Sequence, residues 1–369
     1  MSSSVPLVDL AAQHRQVADA VASGFARVLE KTAFILGEDV ARFEEEFASF
    51  AGVAHCAGVA NGTDALEIAL RALDVGQDHE VILPANTFIA TALAVARAGA
   101  TPVLVDCDPA YGLLDVDQVA RKVTRKTKAV VPVHLFGQIA PMEQLLPLCA
   151  DAGLLVVEDA AQAHGAKRHG KGAGTFGIAA GWSFYPGKNL GAYGDAGAVT
   201  TSSVDVQKRV KALRNYGSEV KYHHPETGFN SRLDTLQAVV LRSKLHHLAE
   251  WNASRRQAAR VYDELLAGAS GVLGPTIAPG NEHVWHLYVV RVKNRDAVLK
   301  KLNAAGIGAG VHYPVPIHLQ GAFRHLGHKR GDFPVAERAA DEMISLPMFA
   351  EITREQQMRV VGELKKALG

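Results

Sequence analysis

Residues 182–199, WSFYPGKNLGAYGDAGAV, set a lysine inside a turn crowded with glycine. A short apolar run leads into Pro186-Gly187-Lys188, and a second apolar run resumes at Ala198 and Val199. A lysine just past a strand end and hemmed in by small residues loses its proton more readily than a solvated one, because desolvation disfavours the charged form. Lys188 is therefore a candidate Schiff-base former; read alone, it is more simply one of many surface lysines in a loop. A second chemical residue is Asp159, which closes the run LLVVED. Buried there, its carboxylate could stabilise a protonated ring nitrogen, or it could cap the following turn. Glu158 alternates to the opposite face and reads as structural. Third, Asn61-Gly62-Thr63-Asp64 lies between a short strand, 55–59, and the helix ALEIALRAL. Free amides at a positive helix end make a phosphate site, and Asn61 or Thr63 could instead be an ordinary N-cap.

The elements that must position these residues read as follows. Apolar residues recur at helical spacing over 10–31 (Val17, Val21, Phe25, Val28, Leu29), and a second helical pattern covers 40–50, with Gly37 as the break. EVILP is a buried strand, followed by Ala85-Asn86-Thr87-Phe88, a helix to Gly99 and the strand TPVLVDCD, which together make one βαβ unit. KAVVPVHLF, PMEQLLPLCADAG and LLVVEDAAQ continue as strand, helix and strand, the pattern of a largely parallel sheet covered on both faces. Ligands collect at the carboxyl ends of such strands, where Thr87, Phe88, His134, Asp159, Gln162, Ser183 and Lys188 all fall. Helices are expected over 204–215 and 232–266, the second long enough to bridge two domains, with SEVKYHHPETGFNS between them as an outward loop. AGASGVLGPTIAPG reads as a linker. Beyond it come a strand (HLYVVRV), a helix (DAVLKKLNAAG), a strand (GAGVHY), an irregular Pro and His segment and two closing helices, a small α/β domain of roughly a hundred residues. The expected division is 1–250 and 251–369, with the N-terminal residues free to pack on the small domain.

A chain of 369 residues accommodates this two-domain arrangement. Lys plus Arg (39) and Asp plus Glu (38) nearly cancel, so no strong field favours nucleic acid or a membrane surface. Cys56, Cys107 and Cys149 are odd in number and widely spaced, which points to reduced thiols and a cytoplasmic compartment. MSSSVPLVDLAAQH lacks a basic segment followed by an apolar one, and the apolar run 89–100 is short and broken by Arg97, so neither export nor membrane spanning is expected. His134, His164 and His318 have no ligand spacing for a metal and read as hydrogen-bonded structural histidines.

The motifs NGTDAL, PANTFIATA, VEDAAQAHGA, SFYPGKNLGAYGDAGA, GFNSRLDTLQAVV, VHYPVPIHLQ and PVAERAADEMISLPMF follow one another in an order that resembles the sugar aminotransferases of the DegT/DnrJ/EryC1/StrS family. The resemblance covers nearly the whole chain. It implies the aspartate-aminotransferase fold (PLP fold type I): a large domain with a mostly parallel mixed sheet between helices, plus a smaller C-terminal α/β domain. It implies that Lys188 forms the Schiff base with pyridoxal 5′-phosphate (PLP) and shuttles the proton, while Asp159 pairs with the pyridine nitrogen. Gln162 would bond the ring hydroxyl, with Phe88 and Ala161 on its two faces. Gly62, Thr63 and Ser183 would hold the phosphate, joined by Asn230 from the neighbouring subunit of an isologous homodimer. Gly194-Asp195-Ala196-Gly197 replaces the family's common Gly-Glu-Gly-Gly run, and FYPGKNLGA with GDAG resembles the subgroup that aminates C3 of nucleotide-linked 3-keto-6-deoxyhexoses. A dTDP-linked substrate and L-glutamate as donor follow from the resemblance alone. Tyr185, His312 and Tyr313 are the expected sugar contacts, and Arg214, Lys221 and Arg232 the cations for a pyrophosphate. Related dehydratases carry histidine where Lys188 stands. Amination at C4 and a non-catalytic PLP-binding regulator are the alternatives.

Overall fold

The computed structural model describes residues 4–369. Seven strands make the large sheet: β1 (His55–Val59), β2 (Glu80–Pro84), β3 (Thr101–Val105), β4 (Thr127–Val130), β5 (Leu155–Asp159), β6 (Ala179–Ser183) and β7 (Gly197–Thr201). Their order is β1-β7-β6-β5-β4-β2-β3. From β6 to β3 all neighbours are parallel; β7 alone reverses, antiparallel to both β1 and β6. Successive residues feed two separate cores, as the two-residue period of a strand requires. Ile82, Val156, Ala180 and Trp182 join Phe43, Phe47 and Phe184 on one face. Val81, Leu83, Val157 and Ala179 join Leu66, Ile68 and Val95 on the other. A sheet covered on both faces leaves the strand ends as the open place for polar chemistry.

The helices of the large domain are α1 (Leu10–Lys31), α2 (Glu38–Ala51), α3 (Gly62–Ala72), α4 (Ile89–Arg97), α5 (Val116–Lys122), α6 (Met142–Asp151), α7 (Val204–Leu213) and α8 (Thr235–Leu245). The chain then continues as α9 (Leu248–Leu266), α10 (Arg295–Ala304), α11 (Pro334–Glu342) and α12 (Arg354–Leu368). Asp9 starts α1 by accepting the Ala12 N–H at 2.8 Å, and Gly37 is the residue from which α2 begins. One expectation needs correction: the single helix over 232–266 is two, α8 and α9, parted at His246 and His247. The two halves bury their apolar faces in different places. Ala238 and Leu241 of α8 lie in the large-domain core, whereas Ala258, Ala259 and Tyr262 of α9 lie in the small-domain core.

The small domain has its own antiparallel sheet, β8 (Val272–Leu273), β9 (Tyr288–Val292) and β10 (Met343–Leu346), with β9 central. Tyr262, Tyr288, Ile344 and Leu364 fill its core together with Val5 from the N-terminus. Val5 pairs with this domain through its backbone, donating to the Gly306 carbonyl at 2.9 Å and accepting from Gly308 N–H at 2.7 Å. The expected closing pair of helices is interrupted by β10, a four-residue strand too short to show a period. The expected strand at GAGVHY is irregular. Its backbone bonds are split, Gly308 to Val5 and Gly310 to Ser345, so no continuous ladder forms.

Candidate active site

The N-terminus of α3 reaches the carboxyl end of β6 because glycine allows it. A Cβ on Gly62 would stand 2.5 Å from Ser183 Cβ, and one on Gly197 would stand 2.3 Å from the Asn61 carbonyl oxygen. Asn61 caps the helix, its Oδ1 accepting the Asp64 N–H at 2.9 Å. Ala65 N–H bonds the Asn61 carbonyl. First-turn amides have no intrahelical acceptor, so those of Gly62 and Thr63 remain at a positive helix end beside Ser183 Oγ. The capping role and a phosphate-binding role of this turn therefore coexist, on different amides.

Lys188 sits in the β6–β7 connection, partly buried, with its own N–H bonded to the Tyr185 carbonyl at 2.8 Å. Its amine is lowered to about 8 by desolvation, and the Asp159 carboxylate works in the opposite direction. Asp159 ends β5 almost wholly buried. Burial raises its carboxyl above the ordinary value; the Thr91 hydroxyl, donating to Oδ2 at 2.8 Å, the Ala161 N–H, donating to Oδ1 at 3.2 Å, and the Lys188 charge hold it down. Glu158, on the other face, is spent on structure. It takes the N–H groups of Gly174, Phe176 and Gly177 at 2.7–2.8 Å and bonds His134 Nε2 at 2.8 Å.

Gln162 Oε1 accepts the Phe136 N–H at 2.6 Å, and its Nε2 donates to Tyr313 Oη at 3.0 Å, which leaves one amide hydrogen unspent. Phe88, half exposed, lies against the Tyr313 ring with centroids 5.0 Å apart. His312 packs edge-on to Tyr313 and shares a 2.8 Å hydrogen bond with Ser345 Oγ; burial, then the Lys188 charge, lower its imidazole to about 4. Tyr185 is 60% exposed. Asn230 is exposed on the segment that follows α7, its backbone bridged to Asn215.

The structure thus gathers Lys188, Asp159, Gln162, Phe88, Ala161, His312 and Tyr313 through mutual contacts and charges, and Gly62, Thr63 and Ser183 beside them. Of the three expected cations, Arg214 is excluded: it is buried and tied to Glu44 and the Gly58 carbonyl. Lys221 and Arg232 lie over the rings of Tyr222 and Tyr216. His318 bonds Glu337 at 2.9 Å. His164 is buried between Trp182 and Phe184, with the Ser183 backbone facing its ring. Three residues escaped the sequence reading: Thr91 on Asp159, Asn189 beside the lysine, and His286, which lies close enough to Lys188 for its charge to lower the imidazole further after burial has done so. A turn of α4 after Thr87 was the only sequence signal for Thr91; the other two are tertiary contacts.

These groups fit PLP. Two unspent amides and a hydroxyl suit its phosphate, a buried carboxylate suits its ring nitrogen, a spare amide hydrogen suits its ring oxygen, and a lysine that gives up its proton more readily than usual suits its aldehyde. The profile of the DegT/DnrJ/EryC1/StrS aminotransferase family matches residues 16–365. A pleiotropic regulatory protein of Geobacillus stearothermophilus is 45% identical, over 98% of each chain. The dTDP-3-amino-3,4,6-trideoxy-alpha-D-glucose transaminase of Streptomyces venezuelae is 43% identical, over 98% of this chain and 96% of its own. The crystal structure of S. venezuelae DesV in complex with a ketimine intermediate superposes with a TM-score of 0.97 at 43% identity, covering 99% of this chain and 98% of the other. With a full-length fold match, a family profile spanning both domains and a lysine–aspartate pair at the strand ends, the chain belongs to the DegT/DnrJ/EryC1/StrS aminotransferase family and is a PLP-dependent sugar aminotransferase.

Proposed function

We propose that the enzyme transfers an amino group from L-glutamate to C3 of a dTDP-linked 3-keto-6-deoxyhexose, as one of two subunits that complete each other's sites. The observation that carries the chemistry is the Lys188 amine, brought to about 8 beside the buried Asp159 carboxylate. When bound, PLP supplies the electron sink that lets a proton leave the carbon next to the amine. Lys188 Nζ would hold it and, once displaced, carry that proton between the substrate carbon and the cofactor. Asp159 would keep the ring nitrogen charged, with Thr91 fixing the carboxylate. Gln162 would orient the ring through its spare hydrogen, and Phe88 would cover one face.

Amination at C3 is supported by the 43%-identical dTDP-3-amino-sugar transaminase and by the GDAG turn. Tyr185, His312 and Tyr313 supply hydroxyl and imidazole groups for the hexose, and Lys221 or Arg232 charge for the pyrophosphate. A second subunit is supported by contiguous exposed apolar residues, Phe34, Ile35 and Leu36, where Ile35 is bridged to Asp234 four residues from Asn230. Two measurements test the reading. Mass spectrometry of products from dTDP- and UDP-linked 3-keto and 4-keto hexoses with L-glutamate is expected to show the 3-amino dTDP sugar; turnover of the 4-keto compounds alone overturns the C3 assignment. The regulator alternative is favoured by the name of the Geobacillus relative. It predicts a cofactor band that L-glutamate leaves unbleached, whereas the transaminase bleaches it and Lys188→Ala does not.

A further inference from the structure

Glycine at 187, 191 and 194 gives the loop around Lys188 little rigidity of its own. Its hold comes from side chains that reach in. Asn189, only 1% exposed, donates from Nδ2 to Asn252 Oδ1 on α9 and to the Val284 carbonyl, each at 2.9 Å. Its Oδ1 lies 3.3 Å from His286 Nδ1, which donates to it as the Nδ1–H tautomer. Asn252 passes the connection on, donating to the His164 carbonyl at 2.8 Å in the turn that follows Asp159. Two residues along the loop, the Gly191 carbonyl accepts from Lys244 Nζ on α8 at 2.7 Å. The two helices therefore send one buried polar side chain each to the loop, from either side of the break at 246–247.

Residues 284–286 are a second place where the chain passes between domains, after the break at 246–247. Val284 belongs to the large-domain core and Trp285 to the small-domain core. Trp285 makes this crossing with φ of +50°, and Arg255 of α9 ties its carbonyl to that of Met348. Asn189 touches both sides of the crossing, at Val284 and at His286.

We propose that Asn189 is a positioning residue for Lys188: it holds the lysine's backbone against residues 284–286, so that the seam between the domains sets where the amine sits. The proposal rests on Lys188 being the reactive amine. The charged and titratable groups that interact with Lys188 come from separate elements: Asp159 from β5, His164 from the turn after it, His286 from the crossing and His312 from the small domain. A loosened loop changes the distance from Lys188 to all four. Without Asn189, the Val284 carbonyl and Asn252 Oδ1 are also left unpaired in the interior, which favours rearrangement of the loop.

The test has two readouts. Reductive ¹³C-methylation and NMR of the cofactor-free protein give the titration of Lys188, assigned with Lys188→Arg, and steady-state kinetics give kcat and KM. Asn189→Ala, and Asn189→Leu, which keeps much of the shape but cannot donate and adds no charge, are expected to move the Lys188 titration by about one pH unit. They are also expected to lower kcat by roughly 10–100-fold with both KM values within about threefold, the signature of a misplaced reacting group. Should Asn189→Ala fail to fold, Asn252→Ala and His286→Phe remove one partner each and are expected to produce part of the same titration shift. Variants that lower only the melting temperature, with titration and kcat within twofold of wild type, overturn the positioning role. A wild-type protein that transaminates no sugar overturns the reading of Lys188 instead, a separate result.

Discussion

At Lys188 burial and the Asp159 carboxylate pull the amine in opposite directions, and burial wins, leaving the group at about 8 rather than its ordinary 10.5. Because the unfolded chain keeps its proton up to about 10.5, it binds more protons than the folded protein between 8 and 10.5. Stability of the cofactor-free protein therefore rises with pH across that window, and the penalty is fully present below 8. Lys188→Met is expected to raise the melting temperature at pH 7, with the gap closing toward pH 10; calorimetry at both pH values checks this. Asp159 must stay ionised against burial, and the Thr91 hydroxyl is one of the groups that keep it so. Thr91→Val is thus expected to move the acid limb of kcat/KM to higher pH, with Lys188, Ala161 and His134 still facing the carboxylate. Asp159→Asn removes the charge itself and is expected to lower kcat by about 10²–10³-fold, the scale of a lost electrostatic partner in a dry site.

Elements matter here through how closely they approach. The small residues of β6 let α3 lie on the sheet until Gly62 meets Ser183. Gly62→Ala forces its Cβ against the Cβ of Ser183 and is expected to weaken PLP binding by tenfold or more, read by titrating cofactor absorbance. Lys188 chemistry would remain intact at saturating cofactor. Much of this framework was legible in the sequence because its signals are local. The helically spaced apolar stripe of α1, the buried run ending at Asp159 and the Asn61 cap each need only a few consecutive residues. The break between α8 and α9 was not legible, since neither glycine nor proline marks His246 and His247; the break arises because two cores pull on the two halves. GAGVHY read as a strand from composition, yet its backbone bonds are divided between Val5 and Ser345. His286 and Asn189 were missed for a related reason: each owes its importance to a contact with a residue about a hundred positions away.

For the whole molecule, we propose the division near residue 250 and a homodimer in which Asn230 serves the partner's site. A mixture of Lys188→Ala and Asn230→Ala proteins, each inactive alone, tests the shared site. Random re-pairing restores one intact site in each mixed dimer, so roughly a quarter of the sites should recover activity. No recovery after subunit exchange has been demonstrated would count against the shared arrangement. Ile35→Asp, which places a charge on the exposed apolar segment, is expected to yield monomers by analytical ultracentrifugation. The order of the large sheet has a consequence for synthesis. β1 is an edge strand whose sole neighbour among the described residues is β7, with residues 60–196 between them. At ribosomal speed that interval lasts on the order of ten seconds. Throughout it, β1 has no strand to pair with, so its backbone N–H and C=O groups stay open until β7 emerges. Ribosome-bound chains halted at residue 180 should be cleaved by protease within 38–59, and chains extended to 260 should be protected there.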